Sequence, residues 1–116
     1  SERLSIRVDA DPIRLDLERL IAVSLLVTEL VTNSIKHGFQ GQPQGSISVS
    51  LKRCPDGAAR LEVCDDGRGF DPGAAVLDPK GLGRTIAESL ASSLGGELRL
   101  SSACASGTAA VVTFPL

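Results

Sequence analysis

The chain has no Trp, no Tyr and no Met, and its only aromatic rings outside histidine are Phe39, Phe70 and Phe114. Proteins that hold single-stranded nucleic acid stack bases on exposed aromatics, and three Phe are too few for such a platform. Charge points the same way. Twelve Lys+Arg against fourteen Asp+Glu leave −2, without the basic excess that a nucleic-acid backbone attracts. With so few rings, the core must be built from Leu, Val, Ile and Ala. No apolar run approaches the roughly 18 residues needed to span a bilayer, and no charged-then-apolar signal segment opens the chain. The expected location is cytoplasmic, with no membrane contact by this segment. Without a Met the chain does not begin at a start codon, so residues 1–116 are expected to be one domain excised from a longer parent.

Cysteine is also scarce. Cys54, Cys64 and Cys104 form no C-x-x-C pair, and His37 is the single histidine, so a zinc site lacks a ligand set. The three read as buried small hydrophobes, kept as thiols in a reducing compartment.

The remaining sequence is rich in periodic signals. Leu4, Ile6 and Val8 alternate with polar residues, which predicts a strand with one buried face. Asp16 is placed to cap a helix over residues 17–37 whose apolar positions cover more than one face, so burial on most sides is expected. Ile47, Val49 and Leu51 predict a second strand. Leu61 and Val63 predict a third, joined to it as an antiparallel hairpin through the Cys54-Pro55-Asp56-Gly57 link. Residues 65–80 are a long loop rich in Gly, Pro and Asp, of a kind that is usually functional. A second helix is expected over residues 81–94, with Leu82, Ile86, Leu90 and Leu94 at intervals of four and Gly95-Gly96 as its stop. Two final strands follow, around Leu98–Leu100 and Ala109–Phe114. The order strand, helix, hairpin, loop, helix, hairpin lacks the alternation of a doubly wound fold. It predicts an α/β (α+β) two-layer sandwich, with a mixed, mostly antiparallel sheet and helices on one face.

Four constellations can carry chemistry. Glu29, Asn33 and His37 stand at i, i+4 and i+8 of the long helix, with Lys36 beside them. Such a stripe is either a solvated edge or a pocket lining. As a lining, the Asn33 amide oxygen suits Mg²⁺, Lys36 and His37 suit phosphate oxygens, and Glu29 suits orienting or deprotonating a nucleophile. Asp65-Asp66-Gly67-Arg68-Gly69 follows a strand. It is either a plain turn or a carboxylate that accepts from an exocyclic amine, with Gly67 and Gly69 letting backbone approach a flat ring. Lys80-Gly81-Leu82-Gly83-Arg84 opens the second helix and is either ordinary helix entry or an anion site at a helix N-terminus. It is not a P-loop. Gly107-Thr108 is, by itself, an ordinary turn.

Taken together and in this order, the four pieces resemble the boxes of the GHKL ATPase superfamily. E-L-V-T-N-S-I-K-H at 29–37 is similar to its N box, D-D-G-R-G at 65–69 to its G1 box, G-L-G at 81–83 to its G2 box, and G-T at 107–108 to its last glycine box. The resemblance covers essentially the whole chain and implies the Bergerat ATP-binding fold. Within the superfamily, L-V-T-E-L-V-T-N-S-I-K-H-G-F resembles sensor histidine kinases of the second HisKA type. The His-Trp-Glu subgroup would want a His where Thr28 stands and a Trp near the G1 box. Carried over by position, the resemblance implies that Asn33 holds Mg²⁺, that Lys36 and His37 lie near the phosphates, and that Asp65 reads the adenine amino group. It sets Gly67 and Gly69 under the base, Gly81 and Gly83 on the phosphate side between Lys80, Leu82 and Arg84, and Thr108 at the adenine end. Glu29 is its candidate base or orienting carboxylate. The segment between the G1 and G2 boxes is short, which implies a compact lid.

No phosphoacceptor is present, because His37 lies inside the N box. The implied partners are therefore ATP, a histidine-bearing dimerisation domain of the parent and, through the parent, a response regulator. Two other functions fit the same boxes: a serine kinase of the anti-sigma type, and a degenerate nucleotide-sensing or docking module.

Overall fold

Residues 3–35, 44–66, 82–101 and 109–116 are described by the structure, a computed structural model. In chain order they form β1 (Arg3–Ala10), α1 (Leu17–Asn33), β2 (Gln44–Arg53), β3 (Ala58–Asp65), α2 (Leu82–Ser93), β4 (Glu97–Ser101) and β5 (Ala109–Pro115). The sheet order is β1-β2-β3-β5-β4. The β1–β2 pair is parallel, and β2–β3, β3–β5 and β4–β5 are antiparallel. This is the mixed sheet that the element order predicts.

The period of two decides which side chains meet the helices. Ile47 and Val49 of β2 share a face with Leu61 and Val63 of β3 and with Val112 and Phe114 of β5, and all six are buried. Leu26 and Leu30 of α1 and Ala87 and Ala91 of α2 close over them in one cluster. Both helices therefore lie on one side of the sheet. Burying a Leu the size of Leu26, which is wholly inaccessible, stabilises by about 1.5–3 kcal/mol before the entropy cost is counted.

Asp16 caps α1 as its sequence position predicts, its carboxylate accepting from the Arg19 N–H at 2.8 Å. The hairpin link closes with Cys54 N–H donating to the Ala58 carbonyl at 2.8 Å and Gly57 N–H donating to the Cys54 carbonyl at 3.1 Å. The end of α2 is a Schellman turn. The Gly96 N–H reaches the Ala91 carbonyl and the Gly95 N–H the Ser92 carbonyl, both at 2.9 Å, with Gly95 at φ 84°.

Four expectations need correction. Burial of α1 on most sides is not seen. Leu17, Leu20, Ile21 and Leu25 are exposed, because the sheet and α2 cover only one side of the helix. On β1, Ile6 and Val8 stand in register with the buried Ile47 and Val49 yet are 54% and 68% exposed, since the edge strand lies beyond the cover of the helices. In α2 the buried residues are Ala87, Ala91 and the following Leu94, while Ile86 is exposed; small alanines let α2 approach α1 closely. Cys64 is disulfide-bonded rather than a thiol. It projects from the outer face of β3, where its register partners Ser48 and Ala109 are small and leave room. Cys54 remains a free, half-buried thiol, and the expectation for Cys104 lies outside the described residues. Among the described residues no helix is long and apolar enough to cross a membrane.

Candidate functional site

The long helix supplies the first part of the site. Leu26 and Leu30 define its inward stripe, at 0% and 4% exposure. Glu29 and Asn33 lie three and seven residues beyond Leu26, so they continue that stripe toward the C-terminal end of α1. Both are half-buried. Val31, Thr32 and Ser34 are half-buried as well, so partial cover extends around this end of α1. The Ser34 N–H donates to both the Leu30 and Val31 carbonyls at the end of α1. Lys36 and His37 lie outside the described residues.

The second part is the end of β3. Asp65 is 3% exposed and is the one buried polar or charged side chain among the described residues. It follows the alternation of Ala59, Leu61 and Val63, so it shares the helix-covered face, and it stands opposite Ile47 in the ladder. A carboxylate in such a place costs free energy unless it is partnered, and Asp65 has a partner within the fold. Asp66, next in the chain, points to the other face and is exposed. Its carboxylate accepts from the Ser46 N–H at 2.8 Å and from the Ser46 hydroxyl at 2.9 Å, while the Asp66 N–H donates to the Ser46 carbonyl at 3.2 Å. These bonds, the backbone one foremost, hold the Asp66 carboxyl below its ordinary value. Gly67 and Gly69 lie outside the described residues.

Leu82, Gly83 and Arg84 form the first turn of α2, so the expected helix entry is seen there. Lys80, Gly81 and Thr108, and the compact lid before α2, lie outside the described residues. Of the residues singled out in the sequence, the structure thus describes Glu29 and Asn33 on α1, Asp65 at the end of β3, and Leu82, Gly83 and Arg84 at the start of α2. All three elements belong to the same two-layer sandwich, with α1 packed on both α2 and β3. Sequence reasoning missed the Ser46–Asp66 pairing. The doubled Asp at a strand end was its only trace, and the register that brings Ser46 opposite could not be read from it.

Comparison with known proteins shows the family of the chain. The family described as "Histidine kinase-, DNA gyrase B-, and HSP90-like ATPase" matches residues 18–116. Blue-light-activated histidine kinase 2 of Erythrobacter litoralis is 28% identical over 113 residues, which is 97% of this chain and 32% of that protein. The sensor histidine kinase PdtaS of Mycobacterium tuberculosis is 34% identical over 106 residues, 88% of this chain and 21% of that protein. An anti-sigma F factor of Heyndrickxia coagulans is 39% identical over 67 residues, 56% of this chain and 46% of that protein. Among solved structures, the Erythrobacter litoralis EL346 blue-light activated histidine kinase superposes with a TM-score of 0.85 at 28% identity, covering 97% of this chain and 35% of that one. The chain thus spans about a third of the length of the blue-light kinase and about a fifth of the mycobacterial one. With the family match spanning residues 18–116, from α1 through β5, the chain belongs to the histidine kinase-, DNA gyrase B- and HSP90-like ATPase family.

Proposed function

We propose that this chain binds ATP with Mg²⁺ and serves as the catalytic domain of a sensor histidine kinase, of the second HisKA type, passing the γ-phosphoryl group to a histidine on an adjoining dimerisation domain. The observation that carries the reading is Asp65, a carboxylate buried at the end of β3 at the head of D-D-G-R-G. It accepts from the adenine amino group, a partner that water cannot replace once the base is seated. Gly67 and Gly69 let the chain pass close to the ring, and Thr108 supports the adenine end.

The phosphates lie toward α2. Its N-terminal N–H groups, reached through Gly81, Leu82 and Gly83, meet the negative charge together with Lys80, Arg84, Lys36 and His37. Asn33 fits Mg²⁺: its amide oxygen is a hard, neutral donor, half-buried on the inner stripe, and Mg²⁺ takes its other ligands from water and phosphate. Bound there, Mg²⁺ would supply positive charge against the phosphate oxygens. In the transfer, a bond forms between the acceptor imidazole nitrogen and the γ-phosphorus while the bond to the β,γ-bridging oxygen breaks, and ADP leaves. Glu29 orients the acceptor or takes its proton. The domain acts on the cytoplasmic side, and a response regulator receives the phosphoryl group from the parent's histidine.

The anti-sigma F relatives favour a second reading, a serine kinase acting on a separate protein. Incubating the full-length parent with labelled ATP separates them. The histidine kinase gives a label lost in acid and stable in base. An acid-stable label on a separate substrate protein would replace it with the serine kinase, and no label at all would leave a docking module.

A further inference from the structure

The Ser46–Asp66 pairing does more than end a strand. Asp65 and Asp66 occupy consecutive rungs of the β2–β3 ladder, opposite Ile47 and Ser46. The last main-chain bond, Asp66 N–H to the Ser46 carbonyl, is long at 3.2 Å. Alone it would be a weak closing rung, and strand ends fray. The neighbouring Ser46 N–H is directed to the Asp66 carboxylate at 2.8 Å, and the Ser46 hydroxyl takes the other carboxylate oxygen at 2.9 Å. Both oxygens of one carboxylate are thus held by one residue. Bonds to an ionised acceptor are roughly twice as strong as neutral ones. The side chain stands where the Asp66 carbonyl would otherwise continue the ladder. The strand is therefore locked through Asp65, and the main chain can leave the sheet at Asp66.

We propose that Asp66 is a positioning residue for nucleotide recognition: clamped to Ser46, it fixes the backbone from which the Asp65 carboxylate meets the base. The inference rests on the adenine-reading role of Asp65 and adds to it a determinant of base specificity on the opposite face of the strand. The chemistry gives it a distinctive readout. Adenine offers an amino group to Asp65, whereas hypoxanthine offers a carbonyl oxygen in the same place. A fixed carboxylate prefers the amine and repels the carbonyl. A loosened one loses part of that preference, although contacts to ribose and phosphates are unchanged.

The test is titration calorimetry of the chain with ADP and with inosine diphosphate, in the presence of Mg²⁺. Wild type should prefer ADP. Asp66→Ala should bind ADP about tenfold more weakly and inosine diphosphate almost as before, so the preference falls. Asp66→Asn keeps an acceptor for the Ser46 N–H and should restore much of the preference. Ser46→Ala, which keeps the N–H and loses the hydroxyl, should fall between and serves if Asp66→Ala does not fold. Variants that retain the wild-type ratio, or that weaken both nucleotides equally, would overturn the assignment of Asp66 while leaving the nucleotide site standing. Wild type that binds inosine diphosphate as well as ADP would overturn the adenine role of Asp65, and that of Asp66 with it.

Discussion

Ile47 and Asp65 face each other across the β2–β3 ladder, at 1% and 3% exposure. One is an ordinary core residue. The other is a carboxylate in an equally buried place. Asp65→Asn keeps the shape but replaces one acceptor oxygen by a donor. Binding of ADP should fall about 10–100-fold, the range for a hydrogen bond to a charged group, and the urea midpoint should also fall, because the buried Asp65 has a partner within the fold as well. Paired calorimetric and urea titrations check this.

Gly96 sits against β5 so closely that an added Cβ would lie 2.3 Å from the Thr113 carbonyl oxygen. That neighbour is backbone and cannot rotate away. Gly96→Ala should destabilise by about 1–3 kcal/mol through overpacking. Gly95→Ala should cost about 1–2 kcal/mol for a different reason, because φ of 84° disfavours any Cβ. Urea unfolding of both variants gives the values, and neither should alter nucleotide affinity in the folded protein.

Leu25 and Leu26 are neighbours with opposite environments, at 51% and 0% exposure. Leu26→Ala should cost about 2–5 kcal/mol through lost burial and a cavity. Leu25→Ala should stay within about 0.5 kcal/mol of wild type. Equal losses in thermal or urea unfolding would contradict the one-sided cover of α1.

The Asp66 carboxyl is held below its ordinary value by the Ser46 backbone N–H and then by the Ser46 hydroxyl. A carboxyl with a depressed folded-state pKa stabilises fully above its unfolded-state value and loses that contribution as pH falls through the folded-state value. The stability difference between wild type and Asp66→Asn should therefore be flat near neutrality and shrink only in the acid range, below the usual carboxylate titration. Carbon-detected NMR titration of the Asp66 carboxyl, alongside urea unfolding at each pH, reads both quantities.

Much of this was legible in the sequence because local chemistry and global fold agree. Asp16 announces α1 by its capping oxygen, and Ile47, Val49, Leu61 and Val63 announce the buried face of the sheet by period two. Asp65 could be singled out because D-D-G-R-G follows a predicted strand and resembles a family box, although its place inside β3 rather than in the loop was not foreseen. What escaped was set by neighbours distant in sequence. Ile6 and Val8 look like core residues, yet the helices do not reach the edge strand. Leu20, Ile21 and Leu25 look inward by composition, but α1 has cover on one side only. Cys64 looks like a buried thiol until the fold supplies it with a disulfide partner. Ser46 carries no sequence signal at all, since its pairing with Asp66, twenty residues away, exists only in the register of the hairpin.

The central claim is that Asp65 reads an adenine nucleotide. Isothermal titration of the chain with Mg·ATP, beside the Asp65→Asn variant, tests it most directly. The account predicts a single saturable site in wild type and affinity at least about tenfold weaker in the variant. No heat of binding in wild type, or equal affinity in both proteins, would contradict it.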